Sequence, residues 1–376
     1  MNQVKKNQRI CFLIDKFIFG GVEKVVIDTI KLLHNDYNIT LYIATDDIDY
    51  NLKAEVEKYA EVLMGHMNFN EKTFALLSIP LTAKLILEKN FKNKYDCVIV
   101  CKPALNNIVF THMSKKYIYW NHGDKDIMYV DNNLSMLRKI NKLRLSHIYK
   151  KYDLVLSPVP EIADLISKAF HLSYSDVLTN PCDLKQVINK STELISDYPK
   201  TDKMIICCVG RLSIEKRFDR VIQAVSNLDK SKYQVLIVGD GPERTQLESL
   251  IKHNNLENNV YLLGNKTNPY PYIKQSDLLI SSSERESYGL TILEAMILRT
   301  PVIATNTTGA RFLLKEGKLG YIAQNDKDLL TILQKIVYDR KLLSVHVDEA
   351  YDYATHLNLA NYKRKISKYI DEVIKL

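Results

Sequence analysis

Short apolar runs recur along this chain, each followed by a polar or glycine-bearing loop and then by a segment with helical periodicity. Residues 10–14, 39–44, 96–100, 117–120 and 154–157 are such runs in the first half, and 205–210, 235–238, 260–264 and 278–280 in the second. Runs this short and this continuously apolar suit strands buried on both faces, and strands alternating with helices fold as parallel α/β sheets. A chain of 376 residues exceeds one ordinary core, so the pattern predicts two α/β domains.

In an open parallel sheet, ligands bind at the carboxyl ends of the strands, so the loops after the apolar runs carry the functional expectation. The loop after 278–280 contains Glu286, and seven residues separate it from Glu294. Tyr288-Gly289 opens a helix-like segment, which places Glu286 before the helix and Glu294 in its second turn. A phosphate near Gly289 and Leu290 would meet unpaired N–H donors, and each carboxylate could accept hydrogen bonds from sugar hydroxyls. A nucleotide sugar satisfies both demands. The loop after 205–210 holds Arg211 and Lys216, two cations able to balance charge on a leaving diphosphate. Gly20 and Gly21 follow the first run and allow backbone to approach a ligand, and His122 follows 117–120. The glycine pattern lacks the third glycine of a dinucleotide fingerprint at both Gly20-Gly21 and Gly239-Asp240-Gly241-Pro242.

These pieces together resemble glycosyltransferase family 4. Gly20-Gly21-Val22-Glu23 is similar to the family's Gly-Gly-x-Glu loop, Asn180-Pro181-Cys182-Asp183 to its Asn-Pro-x-Asp, Gly210-Arg211-Leu212 through Lys216 to its Gly-Arg-Leu-x-x-x-Lys, and Glu286 with Glu294 to its Glu-x7-Glu. The resemblance implies the GT-B fold, two Rossmann-like domains facing each other across a cleft. The expected domains are residues 1–183 on the acceptor side and 204–354 on the donor side, joined by a linker at 184–203, with a helix in 355–376 returning to the first domain. The implied reaction is metal-independent, retaining transfer of a hexose or N-acetylhexosamine from a UDP-linked sugar to a glycan or lipid-linked acceptor, in bacterial surface polysaccharide or glycolipid synthesis. Glu286, Arg211, Lys216 and His122 are its expected catalytic residues; Gly20, Gly21, Gly289, Leu290 and Glu294 its donor-binding residues; no metal and no cofactor beyond the donor is expected. A non-catalytic partner subunit and a sugar-nucleotide epimerase of similar fold are the rival readings. The sequence departs from the family at Ser287 and Arg299, where glycine is usual, and in 307–312, which lacks a customary glutamate. Arg299 suggests an altered helix C-cap.

Composition narrows the remaining classes. The net charge of +8 is evenly spread, 24 Lys/Arg against 20 Asp/Glu in residues 1–180 and 28 against 24 in 181–376, or +4 in each part. No basic run is interleaved with aromatics, so a nucleic-acid partner is not expected. Six cysteines form no metal-ligand spacing, and no run is long enough to span a membrane, which fits a cytoplasmic protein, peripheral at most on the inner face of the membrane. Asp47-Ile48-Asp49 has a metal-binding look, but Asp124-Lys125-Asp126 and Asp326-Lys327-Asp328 repeat it and point to chance. Residues 134–152 form a basic amphipathic stretch that reads either as a helix with one buried face or as one lying on acidic lipid. The basic tail from 357 to 376 carries the same pair of readings.

Overall fold

The computed structural model describes residues 7–18, 20–66, 94–111, 113–123, 136–199 and 201–376, apart from the side chain of Leu137. The chain divides into two compact units, 1–181 with Leu359–Leu376, and Cys182–Asn358. Each is a parallel sheet with helices, a two-domain Rossmann-like α/β fold.

The first unit's strands are β1 (Arg9–Ile14), β2 (Asn38–Ile43), β3 (Glu61–Met64), β4 (Cys97–Val100), β5 (Tyr117–Trp120), β6 (Leu154–Ser157) and β7 (Ser175–Val177), in the order β3-β2-β1-β4-β5-β6-β7. Every neighbouring pair is parallel. Strand order therefore reverses between β1 and β4, and a crevice opens at their carboxyl ends. The central strands are buried almost throughout, as their apolar runs require. β3 and β7 are edge strands with exposed and half-buried residues, which is why neither shows an apolar run in the sequence.

The C-terminal helix Leu359–Lys375 packs on this first unit. Its apolar stripe Tyr362, Ile366, Tyr369, Ile370 and Val373 is buried. The Tyr362 hydroxyl lies 2.7 Å from Thr29 Oγ1, and Tyr37 donates to Asp371 at 2.8 Å. With that face consumed by packing, the helix keeps no apolar stripe of its own to insert into lipid.

The second unit has β8 (Met204–Val209), β9 (Tyr233–Val238), β10 (Val260–Gly264), β11 (Leu278–Ser281), β12 (Val302–Thr305) and β13 (Tyr321–Ala323), in the order β10-β9-β8-β11-β12-β13. Its reversal falls between β8 and β11. A continuous core of Met204, Ile206, Val235, Ile237, Leu278 and Ile303 with Val221, Leu247 and Leu333 holds sheet and helices together. In the segment 184–203, read from the sequence as linker, the described residues 184–199 and 201–203 belong to this unit. Asp183 caps the helix Leu184–Lys190 by accepting from the Gln186 amide at 2.9 Å. Tyr272 donates to Asp197 at 2.7 Å, and Gln234 Nε2 donates to the Pro199 carbonyl at 2.7 Å. Helix-capping and buried tyrosine contacts, invisible in a polar composition, explain the difference.

Arg299 also departs from its sequence reading. It takes up the left-handed conformation itself (φ 58°), and the Thr300 amide reaches back to the Ala295 carbonyl at 2.9 Å, so the cap usually built on glycine forms unaltered. Its guanidinium lies 4.0 Å from the centre of the Tyr351 ring and pairs with Asp348, contacts that offset the backbone strain.

Candidate active site

In the second unit, three βα loops interlock at the carboxyl edge. Gly210 follows β8, and the turn Gly239–Gly241 follows β9. A Cβ on Gly239 would lie 1.9 Å from the Gly210 carbonyl oxygen, and one on Gly241 would lie 2.4 Å from that of Leu212. Only glycine permits backbones this close, and Gly239 has in addition φ 142°. The Leu212 amide then donates to the Asp240 carbonyl and the Glu243 amide to the Leu212 carbonyl, both at 3.0 Å. This double latch fixes the loop that carries Arg211. The glycine turn is thus a support for the cation loop.

Lys216 leaves that loop and crosses the reversal of strand order. Its Nζ donates to Glu286 Oε2 at 2.6 Å, with both side chains mostly buried. Glu286 is held from behind, because its own carbonyl accepts from the Gly309 amide at 2.8 Å. A Cβ on Gly309 would fall 2.5 Å from the Tyr288 backbone, so glycine is again what allows the two loops to meet. Arg211 is exposed, and its guanidinium has no hydrogen-bond or ion-pair partner among the described residues.

The helix Leu290–Ile297 starts immediately after Gly289, whose φ of 91° suits only glycine comfortably. No side chain caps this helix. The amides of Ile292 and Leu293 turn back to the Gly289 carbonyl, which leaves Leu290 and Thr291 as the open N–H donors. The Glu286 Cγ sits within 3.5 Å of where a Gly289 Cβ would be, so the carboxylate stem lies beside this positive helix end. Glu294, one turn further in, is buried, and the Tyr270 hydroxyl approaches its Oε1 at 3.4 Å. Thus Arg211, Lys216, Glu286, Gly289, Leu290 and Glu294 all lie on two βα units of one sheet edge, those after β8 and β11. Tyr270, from a helix with no motif of its own, was not legible in the sequence.

The first unit carries the remaining residues. Gly20 and Gly21 lie between β1 and the helix Gly21–Leu33, whose N-cap Gly20 also lacks a side-chain cap. Glu23 folds back over this turn: a Cβ on Gly20 would meet its Oε2 at 2.4 Å. Its other oxygen pairs with Lys102 Nζ at 3.0 Å, and Lys102 comes from the loop after β4. Lys102 is a residue that sequence reading missed, since a single lysine after a strand carries no pattern.

His122 follows β5, its ring 4.3 Å from that of Trp120. Both imidazole nitrogens are shielded from solvent and lack a hydrogen-bond partner among the described residues, as does Trp120 Nε1. Burial, assisted by the Lys102 charge, pushes the imidazole pKa down from 6.5 to about 3. The ring is therefore neutral in any physiological buffer. A neutral ring can donate and accept hydrogen bonds but is poorly placed to carry charge.

The carboxylates with metal-like spacing are used locally. Asp49 caps the helix Tyr50–Val56 by accepting from the Asn51 and Leu52 amides, Asp326 pairs with Arg220 at 3.0 Å, and Asp328 accepts from the Gln324 amide. Asp124 and Asp126 lie outside the described residues. Among the described residues no cluster of metal-ligating side chains is present, and no helix is long and apolar enough to cross a membrane. All six cysteines are buried, and burial raises the Cys11 thiol to about 12.

The chain is similar in sequence and in fold to known proteins. Residues 190–352 match the sequence profile of the glycosyl transferases group 1. The chain is 27% identical over 372 residues to the N-acetylgalactosamine-N,N'-diacetylbacillosaminyl-diphospho-undecaprenol 4-alpha-N-acetylgalactosaminyltransferase of Campylobacter jejuni, covering 96% of this chain and 99% of that protein. Among solved structures, Anabaena HepE in complex with UDP superposes with a TM-score of 0.73 at 19% identity, covering 97% of this chain and all of that one. Sucrose-phosphate synthase from Thermosynechococcus elongatus superposes with a TM-score of 0.78 at 16% identity, over 98% and 100% of the two chains.

Proposed function

We propose that the chain, a glycosyltransferase whose residues 190–352 match the glycosyl transferases of group 1, transfers a sugar with retention from a UDP-linked donor to a lipid-linked or glycan acceptor in surface-glycan synthesis. The observation that carries the reading is the Lys216–Glu286 bond across the reversal of β8 and β11, beside an uncapped helix end and an unpaired Arg211. An ammonium has three donors, and Glu286 uses one of them, so two remain for phosphate oxygens. Arg211 supplies a planar fork, and the Leu290 and Thr291 amides add a fixed dipole. Together they balance the charge that develops on a departing nucleoside diphosphate, without a divalent metal. Glu286 accepts a hydroxyl of the transferred sugar. Glu294, in the next turn, takes the ribose hydroxyls.

In the first unit the residues put forward are Gly20 and Gly21, at the uncapped start of a helix over which Glu23 is folded, and His122, whose neutral ring suits a sugar hydroxyl. The Campylobacter relative is named for N-acetylgalactosamine transfer to a diphospho-undecaprenol-linked saccharide, and HepE was solved with UDP; both support these donor and acceptor classes. The test is a donor panel read by release of nucleoside diphosphate, with wild type and Arg211→Ala, Lys216→Ala and Glu286→Ala, before and after chelation. Losses in all three variants and chelator-resistant turnover are expected. Unchanged rates in all three would discard the site, and chelator-sensitive turnover would discard metal independence.

A further inference from the structure

The helix Met136–Tyr149 of the first unit is amphipathic in two directions at once. Leu145, Ile148 and Tyr149 are buried and fix it to its own unit. Yet Met136, Ile140 and Leu143, spaced four and three residues apart and so on one face, are 79%, 55% and 73% exposed. Three large apolar side chains left in water along one helix stripe are not explained by packing. Between residues 132 and 152 the sequence has six Lys/Arg and no Asp or Glu. Arg138, Lys139 and Lys150 are exposed, Lys142 is half-buried, and none of them has an ion-pair partner among the described residues. The C-terminal helix provides the internal control, since it is also basic but buries its whole apolar stripe.

We propose that the helix Met136–Tyr149 is a docking element for an anionic bilayer surface, with Met136, Ile140 and Leu143 entering the boundary between headgroups and acyl chains while Lys139, Lys142 and Lys150 meet lipid phosphates. Apolar residues on a rim of unpaired cations match a surface that is apolar beneath and negative above; a water-soluble partner would have to be acidic and greasy along the same line. The assignment rests on the reading of the acceptor as lipid-linked, because it brings the enzyme to the phase where such an acceptor resides.

The test is co-sedimentation of the full chain with phosphatidylcholine vesicles with or without phosphatidylglycerol, alongside size-exclusion chromatography. Binding only to the anionic vesicles, weakened by salt, is expected. Ile140→Asn with Leu143→Asn should lower partitioning on the order of tenfold, and Lys139→Gln with Lys142→Gln roughly fivefold per charge, with turnover on a water-soluble acceptor unchanged. Absence of wild-type binding, or equal binding by the apolar variant, overturns the proposal. So does conversion of a wild-type dimer to monomer by the apolar variant without vesicle binding, which would assign the stripe to a second copy. Vesicle binding is read without turnover. Loss of the acceptor reading with binding intact is therefore distinct from loss of binding with turnover intact.

Discussion

Each unit places one lysine–glutamate pair across the reversal of its sheet, and the two pairs are built with opposite polarity. In the first unit the carboxylate, Glu23, comes from the element after β1 and the ammonium, Lys102, from the loop after β4. In the second the ammonium, Lys216, follows β8 and the carboxylate, Glu286, follows β11. Glu23 is the more deeply buried carboxylate, its side chain 5% exposed against 18% for Glu286. A pair so shielded is a structural tie that is costly to break. The more open Lys216–Glu286 pair draws its lysine from the loop that carries Arg211, whose guanidinium has no partner among the described residues, and lies beside an uncapped helix, where its spare donors and acceptors can be used by a ligand. On the proposed reading, the same two side chain types serve stability in one unit and donor binding in the other, with burial setting the difference.

This contrast is tested most severely by Lys216→Ala. It should reduce transfer on the order of a hundredfold or more, with a smaller loss in the urea midpoint than Lys102→Met, because water reaches more of this pair and can solvate the carboxylate left behind. A variant that unfolds, or one that keeps full activity, breaks the comparison. Lys102→Met should do the reverse. It leaves the Glu23 carboxylate buried without its cation and should cost about 3 kcal/mol of stability, largely recovered by adding Glu23→Gln in a double-mutant cycle. No recovery in the double variant would show that the pair is not the tie described.

A smaller effect is expected at Gly239→Ala, where a methyl would meet the Gly210 carbonyl. The loss should be about 2 kcal/mol, with a lower kcat as the Arg211 loop shifts. An unchanged melting midpoint would mean that the latch is dispensable. The effect that is smallest at neutral pH concerns His122. Because folding lowers its pKa from 6.5 to about 3, the folded state resists protonation that the unfolded chain accepts. Its contribution is intact above about pH 6.5 and is lost progressively as pH falls toward about 3. His122→Gln should therefore flatten the acid limb of the stability curve measured by urea titration, and a titrating limb near pH 6.5 in the wild-type rate profile that disappears in the variant would contradict a neutral imidazole.

How much of this was readable in advance differs from residue to residue. The buried strands β1, β2, β4, β5, β8 and β11 announce themselves as apolar runs, because a strand covered on both faces has no room for polar side chains. The edge strands β3 and β7 have no such obligation and left no signal. Arg211, Lys216, Glu286 and Glu294 stand at fixed spacings after strands, so a motif could find them. Lys102 and Tyr270 lie far from their partners Glu23 and Glu294 in the chain, 79 and 24 residues away, and carry no local pattern.

The sequence by itself determined two parallel α/β units, the glycine positions at their loops and the chemical kinds of the residues at the second sheet's edge, since these are set by local periodicity and by the absence of a Cβ. Tertiary structure alone decided that Lys216 reaches Glu286, that His122 is neutral, and that of two basic helices one hides its apolar stripe while the other presents it. Those outcomes depend on solvent access and on contacts between distant parts of the chain, and neither is a property of any local stretch of residues.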